Sequence, residues 1–238
     1  MSGILSTATF EVAGLSLPVV VRRYRSARRM RMRVDHHAGL IRLSVPSRVT
    51  ERAALRWAGS QGAWITEQLQ AAPPAIAFDS GALIPFEGAD LSLRWAPERR
   101  RGVIRVEQEL IVGGPRDGFA RQVERWLQAQ ARDTLSTLTA ETATLAGVSV
   151  RSVSIGDPVS RWGSCSSSGN IRYSWRLILA PPPALRFVVA HEVAHRLHMD
   201  HSPAFKAAEE RLFGGPVAPA RALLRELAPA LRAIGQGR

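Results

Sequence analysis

Residues 187–205 read FVVAHEVAHRLHMDHSPAF and hold four of the six histidines of the chain. His191, Glu192 and His195 form the pattern His-Glu-x-x-His. Residues four apart on a helix lie on one face with Cβ atoms about 5–6 Å apart, so the two imidazoles can converge on one metal ion. Zinc suits this arrangement, because a catalytic zinc is tetrahedral and keeps one position open for water. Glu192 lies about 100° further around the helix, where its carboxylate can reach that water.

The third metal ligand is either His198 or His201. In a straight helix His198 would lie about 10 Å along the axis from His191, too far for three rings to meet. His201 precedes Ser202 and Pro203, a cap and first-turn pattern that predicts a new helix. A turn before that helix would return His201 to the ion, so the geometry favours His201.

Two other interpretations of this cluster are a solvated histidine-rich turn and a structural zinc site without turnover. A structural zinc site usually has four protein ligands, and it has no need of a carboxylate beside the first histidine. Three histidines with Glu192 therefore favour hydrolysis.

Composition places the chain among ordinary globular proteins, with 238 residues, a mass of 26.0 kDa and 45% hydrophobic residues. Cys165 is the single cysteine, which excludes an internal disulfide. No apolar stretch reaches the roughly 18 residues of a membrane span, and residues 1–20 lack the pattern of a signal peptide. We expect a cytoplasmic protein with no membrane partner.

The pattern along the chain predicts an α+β protein without an evident internal repeat. Alternating residues up to Val45 predict a hairpin with its turn at residues 36–39, and residues 50–70 predict one helix. Further short strands follow over residues 78–112, and Gly113, Gly114 and Pro115 indicate a boundary. We expect a β-rich N-terminal subdomain over residues 1–115 and a second domain over residues 116–238.

A second block, RWGSCSSSGNIRYSWRLILAPP at residues 161–182, accompanies the histidine cluster. The order and spacing of the two blocks resemble the YgjP-like (DUF45) metallopeptidase family, which is related to the SprT and M48-type zincins. The resemblance implies a zincin-like catalytic domain with a small sheet and an active-site helix. It also implies His191, His195 and His201 as zinc ligands and Glu192 as the catalytic acid/base of a peptidase acting on protein or peptide substrates.

The chain departs from the family pattern at Lys206, where an aromatic residue commonly follows the phenylalanine. The distance from His191 to His201 also matches the metzincin motif, but that motif requires glycine where His198 stands.

Trp162, Gly163, Ser164 and Cys165 are the candidate substrate-binding residues. Zincin clefts often bind an extended substrate as an added strand at a sheet edge, and residues 162–166 are our candidate edge. The alternative is that Trp162, Trp175 and Cys165 belong to the core. Cys165 lacks the paired histidine that a catalytic cysteine needs. Tyr173 could stabilise an oxyanion, but its spacing gives no special reason to choose it.

Arginine accounts for almost all of the basic residues, and the formal net charge is +12. Seven arginines between residues 22 and 33 predict a nucleic-acid contact, with a solvated strand face as the alternative. The second function class is therefore a nucleic-acid-binding module, or a DNA-associated protease, whose basic half selects the partner. The seven are Arg22, Arg23, Arg25, Arg28, Arg29, Arg31 and Arg33.

Overall fold

The computed structural model describes residues 4–12, 15–35, 39–71 and 73–236. Its contacts divide the chain into two compact units, Met1–Pro74 and Ala75–Arg238. The sequence placed this division at residue 115 instead. The difference arises because the strands of residues 83–113 share one continuous core with the C-terminal helices, whereas the first unit has a core of its own. The α+β fold class is as predicted, with a β-rich N-terminal part.

The first unit contains a four-stranded sheet in the order β1-β2-β4-β3. Its strands β3 and β4 form the predicted antiparallel hairpin. Residues 36–38 of the predicted turn lie outside the described residues. The strand β2 runs antiparallel to β1 and parallel to β4. The bounds are β1 (Ile4–Val12), β2 (Leu15–Tyr24), β3 (Arg31–Asp35) and β4 (Leu40–Pro46).

Two helices, α1 (Glu51–Gly59) and α2 (Gly62–Gln70), replace the single helix predicted over residues 50–70. Thr50 caps the first by accepting a hydrogen bond from the Ala53 amide at 3.3 Å. Glycines on both sides of the break favour it, because glycine is a poor residue for a helix interior. α1 contacts β4 and α2 contacts β3, so the helices cover one side of the sheet.

The second unit begins with a sheet that repeats the topology of the first. Its order is β5-β6-β8-β7, and the three pairings are again antiparallel, parallel and antiparallel. Helices follow the four strands in both units. The topology therefore repeats although the sequence showed no repeat. The bounds are β5 (Leu83–Phe86), β6 (Ala89–Ala96), β7 (Gly102–Val106) and β8 (Glu109–Gly113).

The long helix α3 (Phe119–Ala146) carries the apolar stripe that packs against this core. It is followed by a three-stranded sheet in the order β10-β11-β9. The strand β10 is antiparallel to β11, which is parallel to β9. The bounds are β9 (Ser152–Gly156), β10 (Gly163–Cys165) and β11 (Asn170–Ser174).

Three further helices complete the unit: α4 (Pro182–Ala194), α5 (Pro203–Phe213) and α6 (Ala218–Ala233). Ser202 caps α5 as predicted, accepting a hydrogen bond from the Phe205 amide at 3.3 Å. Within the described part of the chain, no helix is both long and apolar enough to span a bilayer.

Candidate metal centre

The helix α4 carries His191 and His195 and ends directly after them. Prolines occupy the first positions of the helix, where proline is favoured. Apolar residues such as Val189 and Val193 are buried on its inner face. His195 is the C-terminal cap, and the chain then turns, with the His198 amide donating to the Ala194 carbonyl at 3.0 Å. The helix end thus allows the chain to return towards its own side chains.

His201 lies on this returning segment, and its ring meets those of His191 and His195. The ring centroids are 5.0 Å apart for His191 and His195, 5.2 Å for His191 and His201, and 4.9 Å for His195 and His201. One nitrogen from each ring lies within 4.8 Å of the others. The structure thus brings together the three histidines that the sequence favoured.

His198 does not join this group, but its backbone supports it. The His198 carbonyl lies 3.2 Å from Nδ1 of His195, which leaves Nε2 of His195 to face the other two rings. Burial lowers the pKa of His195, and the neighbouring His191 and His201 act in the same direction. A low pKa keeps the imidazole neutral, the form that binds a metal.

The separation of two of these nitrogens matches that of two ligands on a tetrahedral metal ion. Two ligands with bonds of about 2.0–2.1 Å at a tetrahedral centre are separated by about 3.3 Å. Nε2 of His191 and Nε2 of His201 are 3.4 Å apart. At this distance the two nitrogens could bind one cation, and without a cation one ring can donate a hydrogen bond to the other. Phe205 packs beneath the three rings, with centroid distances of 4.6–5.1 Å.

Glu209 of α5 orients His191 and is not among the residues predicted from the sequence. Its Oε1 lies 2.7 Å from Nδ1 of His191, and its Oε2 accepts from Arg221 at 2.9 Å. Burial alone would raise the pKa of Glu209, but the hydrogen bond from His191 and the charges of His191 and Arg221 hold that pKa below its ordinary value. The available signal was a carboxylate four residues after Phe205, on the buried face of a predicted helix.

Glu192 lies beside the histidines and is 4% exposed. Burial raises the pKa of its carboxyl to about 7, while the charges of His191 and Arg161 oppose this rise. Gly163 packs directly on this side chain, because a Cβ at Gly163 would lie 2.7 Å from Cγ of Glu192. The strand β10 therefore lies against the carboxylate.

The predicted substrate-binding residues occupy the edge of a sheet, as expected. β10 pairs with β11 on one side, and the Trp162 carbonyl accepts from the Ser174 amide at 2.8 Å. The Trp162 ring is partly buried and lies 4.5 Å from the Arg232 guanidinium. Trp175, in contrast, is a core residue.

Arg196, which is also not among the residues predicted from the sequence, connects the turn between β10 and β11 to the end of α4. Its guanidinium donates to the Ser167 carbonyl at 2.9 Å and to the Ser149 carbonyl at 3.2 Å. Burial raises the pKa of the Cys165 thiol, although the Arg196 charge opposes this. A protonated thiol is a poor nucleophile.

Tyr173 is not available to stabilise an oxyanion, because it is fully buried. Its hydroxyl is hydrogen-bonded to the Thr139 hydroxyl at 3.0 Å inside the core. The suggestion from the sequence is therefore wrong for this residue.

Fold and site together define, in general terms, a metal-dependent peptidase. Comparison with protein families supports this class, since residues 28–226 match a family described as YgjP-like, metallopeptidase domain. The chain belongs to the YgjP-like metallopeptidase family, as the two sequence blocks suggested. Comparison with curated proteins and with solved structures gave no significant match.

Proposed function

We propose that this chain is a zinc metallopeptidase that hydrolyses peptide bonds in protein or peptide substrates, with Glu192 as the general base. The observation that carries the proposal is the convergence of His191, His195 and His201 next to the buried Glu192. Convergent imidazoles alone would suit a structural site. The adjacent carboxylate, which forms no part of the three-nitrogen group, favours hydrolysis.

Zinc is the metal that this donor set suits best. Three neutral imidazoles without a thiolate are a common catalytic zinc set, and they leave one position for water or substrate. When bound, zinc lowers the pKa of a coordinated water to about 7 and polarises a carbonyl oxygen. His191, His195 and His201 would hold the ion, and Glu209 and the His198 carbonyl would fix the orientation of two of the rings.

Glu192 would transfer the proton between the attacking water and the leaving group. Its carboxylate accepts a proton from the attacking water and then donates it to the leaving amine. Two features support this role: the side chain is buried next to the histidines, and Gly163 allows it to approach β10 closely. A larger residue at position 163 would occupy the space that the carboxylate uses.

The outer edge of β10 would bind the substrate. An extended peptide adds to a sheet edge through main-chain hydrogen bonds, and side-chain pockets then select among peptides. Gly163, Ser164 and Cys165 would provide the main-chain groups, with Trp162 beside them. Because β10 lies against Glu192, a peptide bound there would be close to the general base.

The Glu192→Gln variant tests the proposal. We expect it to retain zinc but to cleave a library of unstructured peptides about 100-fold or more slowly than the wild type, since a general base contributes typically 10²–10⁴-fold. Glu210→Gln is the matched control, because Glu210 is an exposed carboxylate in α5. Wild-type cleavage rates in a Glu192→Gln protein that still holds zinc would exclude Glu192 as the base.

A further inference from the structure

One side of the sheet β1-β2-β4-β3 is rich in arginine. Ile41, Leu43 and Val45 of β4 are buried on the side covered by α1 and α2. Because successive side chains in a strand point to opposite faces, Arg42 and Ser44 lie on the other side.

Strand register places three more arginines on this same side. Arg33 is opposite Arg42, and Arg22 and Arg31 are both opposite Ser44 on neighbouring strands. We call Arg22, Arg31, Arg33 and Arg42 the arginine face. Asp35 lies on this side and forms an ion pair with Arg42 at 2.6 Å, and register also places Glu11 on this side. The four arginines outnumber these two carboxylates, so the face keeps a net positive charge.

The segment that joins β2 to β3 extends this charge across the end of β4, with Arg25, Arg28 and Arg29 exposed. Arg23 is different: it lies on the core side, and its guanidinium donates to the Val49 carbonyl at 3.0 Å. The structure therefore removes Arg23 from the predicted cluster and adds Arg42. Residues 1–74 contain eleven arginines and four carboxylates.

The fold itself does not require arginine at these positions, as the second sheet shows. That sheet has the same topology, but its corresponding side carries Leu83, Ile104 and Val106, all exposed. Its Arg94 forms an ion pair with Glu109 at 2.9 Å. A second copy of this topology thus forms with exposed apolar residues and a neutralised arginine on its outer side, so the arginine face needs an explanation beyond folding.

We propose that the arginine face, together with Arg25, Arg28 and Arg29, binds the phosphate backbone of double-stranded DNA. Planar guanidinium groups form paired hydrogen bonds with phosphate oxygens and keep their charge at all physiological pH values. The major groove admits a helix or a two-stranded ribbon, and a four-stranded sheet is too wide for it. Contacts from this face therefore go to phosphates, and the binding is independent of base sequence.

Two other polyanions fit the face less well. Stable attachment to an anionic membrane needs apolar side chains that enter the lipid, but the exposed large hydrophobic residues among the described side chains all lie at residue 83 or beyond. Single-stranded nucleic acid needs aromatic side chains for stacking. Tyr24 is the one aromatic residue on this side of the described part of the sheet.

The test compares two triple variants of the full chain that remove equal charge from the same unit. Arg28→Gln/Arg29→Gln/Arg31→Gln changes exposed residues of the proposed surface, and Arg48→Gln/Arg52→Gln/Arg56→Gln changes exposed residues of α1 and the turn before it. Affinity for a DNA duplex of about 20 base pairs is measured over a range of salt concentrations, where each phosphate contact adds about 0.9 to the slope of log affinity against log salt.

We expect the surface variant to lower that slope by about 2–3 and the affinity at low salt at least tenfold, while the control variant stays close to the wild type. Thermal unfolding checks that both triple variants fold. If the surface variant does not fold, the single variant Arg31→Gln replaces it, and we expect this change to lower the slope by about 0.9. Equal losses in both variants, tighter binding to single-stranded DNA or duplex RNA, or displacement of DNA by phosphatidylserine vesicles would overturn the proposal.

Discussion

Gly163 of β10 lies directly against the side chain of Glu192, so closely that a Cβ at Gly163 would be 2.7 Å from Cγ of Glu192. Because real Cβ atoms essentially never approach a heavy atom within 3.0 Å, no other residue fits without moving the carboxylate. This contact connects the two sequence blocks of the family next to the three histidines.

The Gly163→Ala variant should therefore lose activity without losing metal. A displacement of a catalytic group by about 1 Å can cost about 100-fold in rate, and we expect a loss of this order in kcat. Gly118→Ala is the control, since the nearest atom to a Cβ there is 3.8 Å away. Equal peptidase rates in the wild type and Gly163→Ala would show that Glu192 does not need this position.

The Glu209→Gln variant should bind zinc about 10–100-fold more weakly, because the hydrogen bond from Nδ1 of His191 to a carboxylate fixes the ring and increases its basicity. Competition with a chelating dye measures this affinity directly. Glu210→Gln, an exposed change at the next residue, should bind zinc like the wild type. If both variants bind equally well, Glu209 has no role in the metal site.

Alkylation of Cys165 should be slow at neutral pH. Burial raises the pKa of its thiol, so the reactive thiolate is a smaller fraction than in a free cysteine and appears only at higher pH. The rate of reaction with iodoacetamide should rise with pH to a midpoint above that of glutathione. In Arg196→Gln this midpoint should move higher still, because the Arg196 charge lowers the pKa. A wild-type midpoint below that of glutathione would contradict this environment.

The Arg176→Met variant should lower the free energy of unfolding by about 2 kcal/mol, because the buried Leu231 and Ile234 carbonyls would lose the guanidinium that donates to them. Arg176 is buried, pairs with Asp157 at 2.9 Å and donates to the Leu231 carbonyl at 3.1 Å. Chemical denaturation measures the loss, and exposed Arg186→Met should change stability by less than about 0.5 kcal/mol. Equal stability of the two variants would show that Arg176 does not stabilise the second unit.

The convergence of the three histidines could be predicted from sequence because its geometry is local. His191 and His195 meet through helical periodicity, and His201 returns through a turn of a few residues. Glu209 could not be placed in the same way, because its contact with His191 depends on how α5 packs against α4.

The division of the chain could not be predicted for a similar reason. Gly113, Gly114 and Pro115 have the composition of a linker, but β8 ends there inside the second unit. The alternating pattern of residues 83–113 does not show whether these strands pack with the helices before them or with the helices after them. The repeated topology also depends on pairing between distant strands, which the two different sequences do not display.

Metal content is the most direct test of the central claim that His191, His195 and His201 bind one ion together. Zinc per chain is measured by elemental analysis after reconstitution and dialysis, for the wild type, His201→Ala and His198→Ala. The geometry predicts one zinc per chain in the wild type and in His198→Ala, whose ring lies outside the group of three, and loss of zinc in His201→Ala. Full zinc content in His201→Ala, or its loss in His198→Ala alone, would contradict the account.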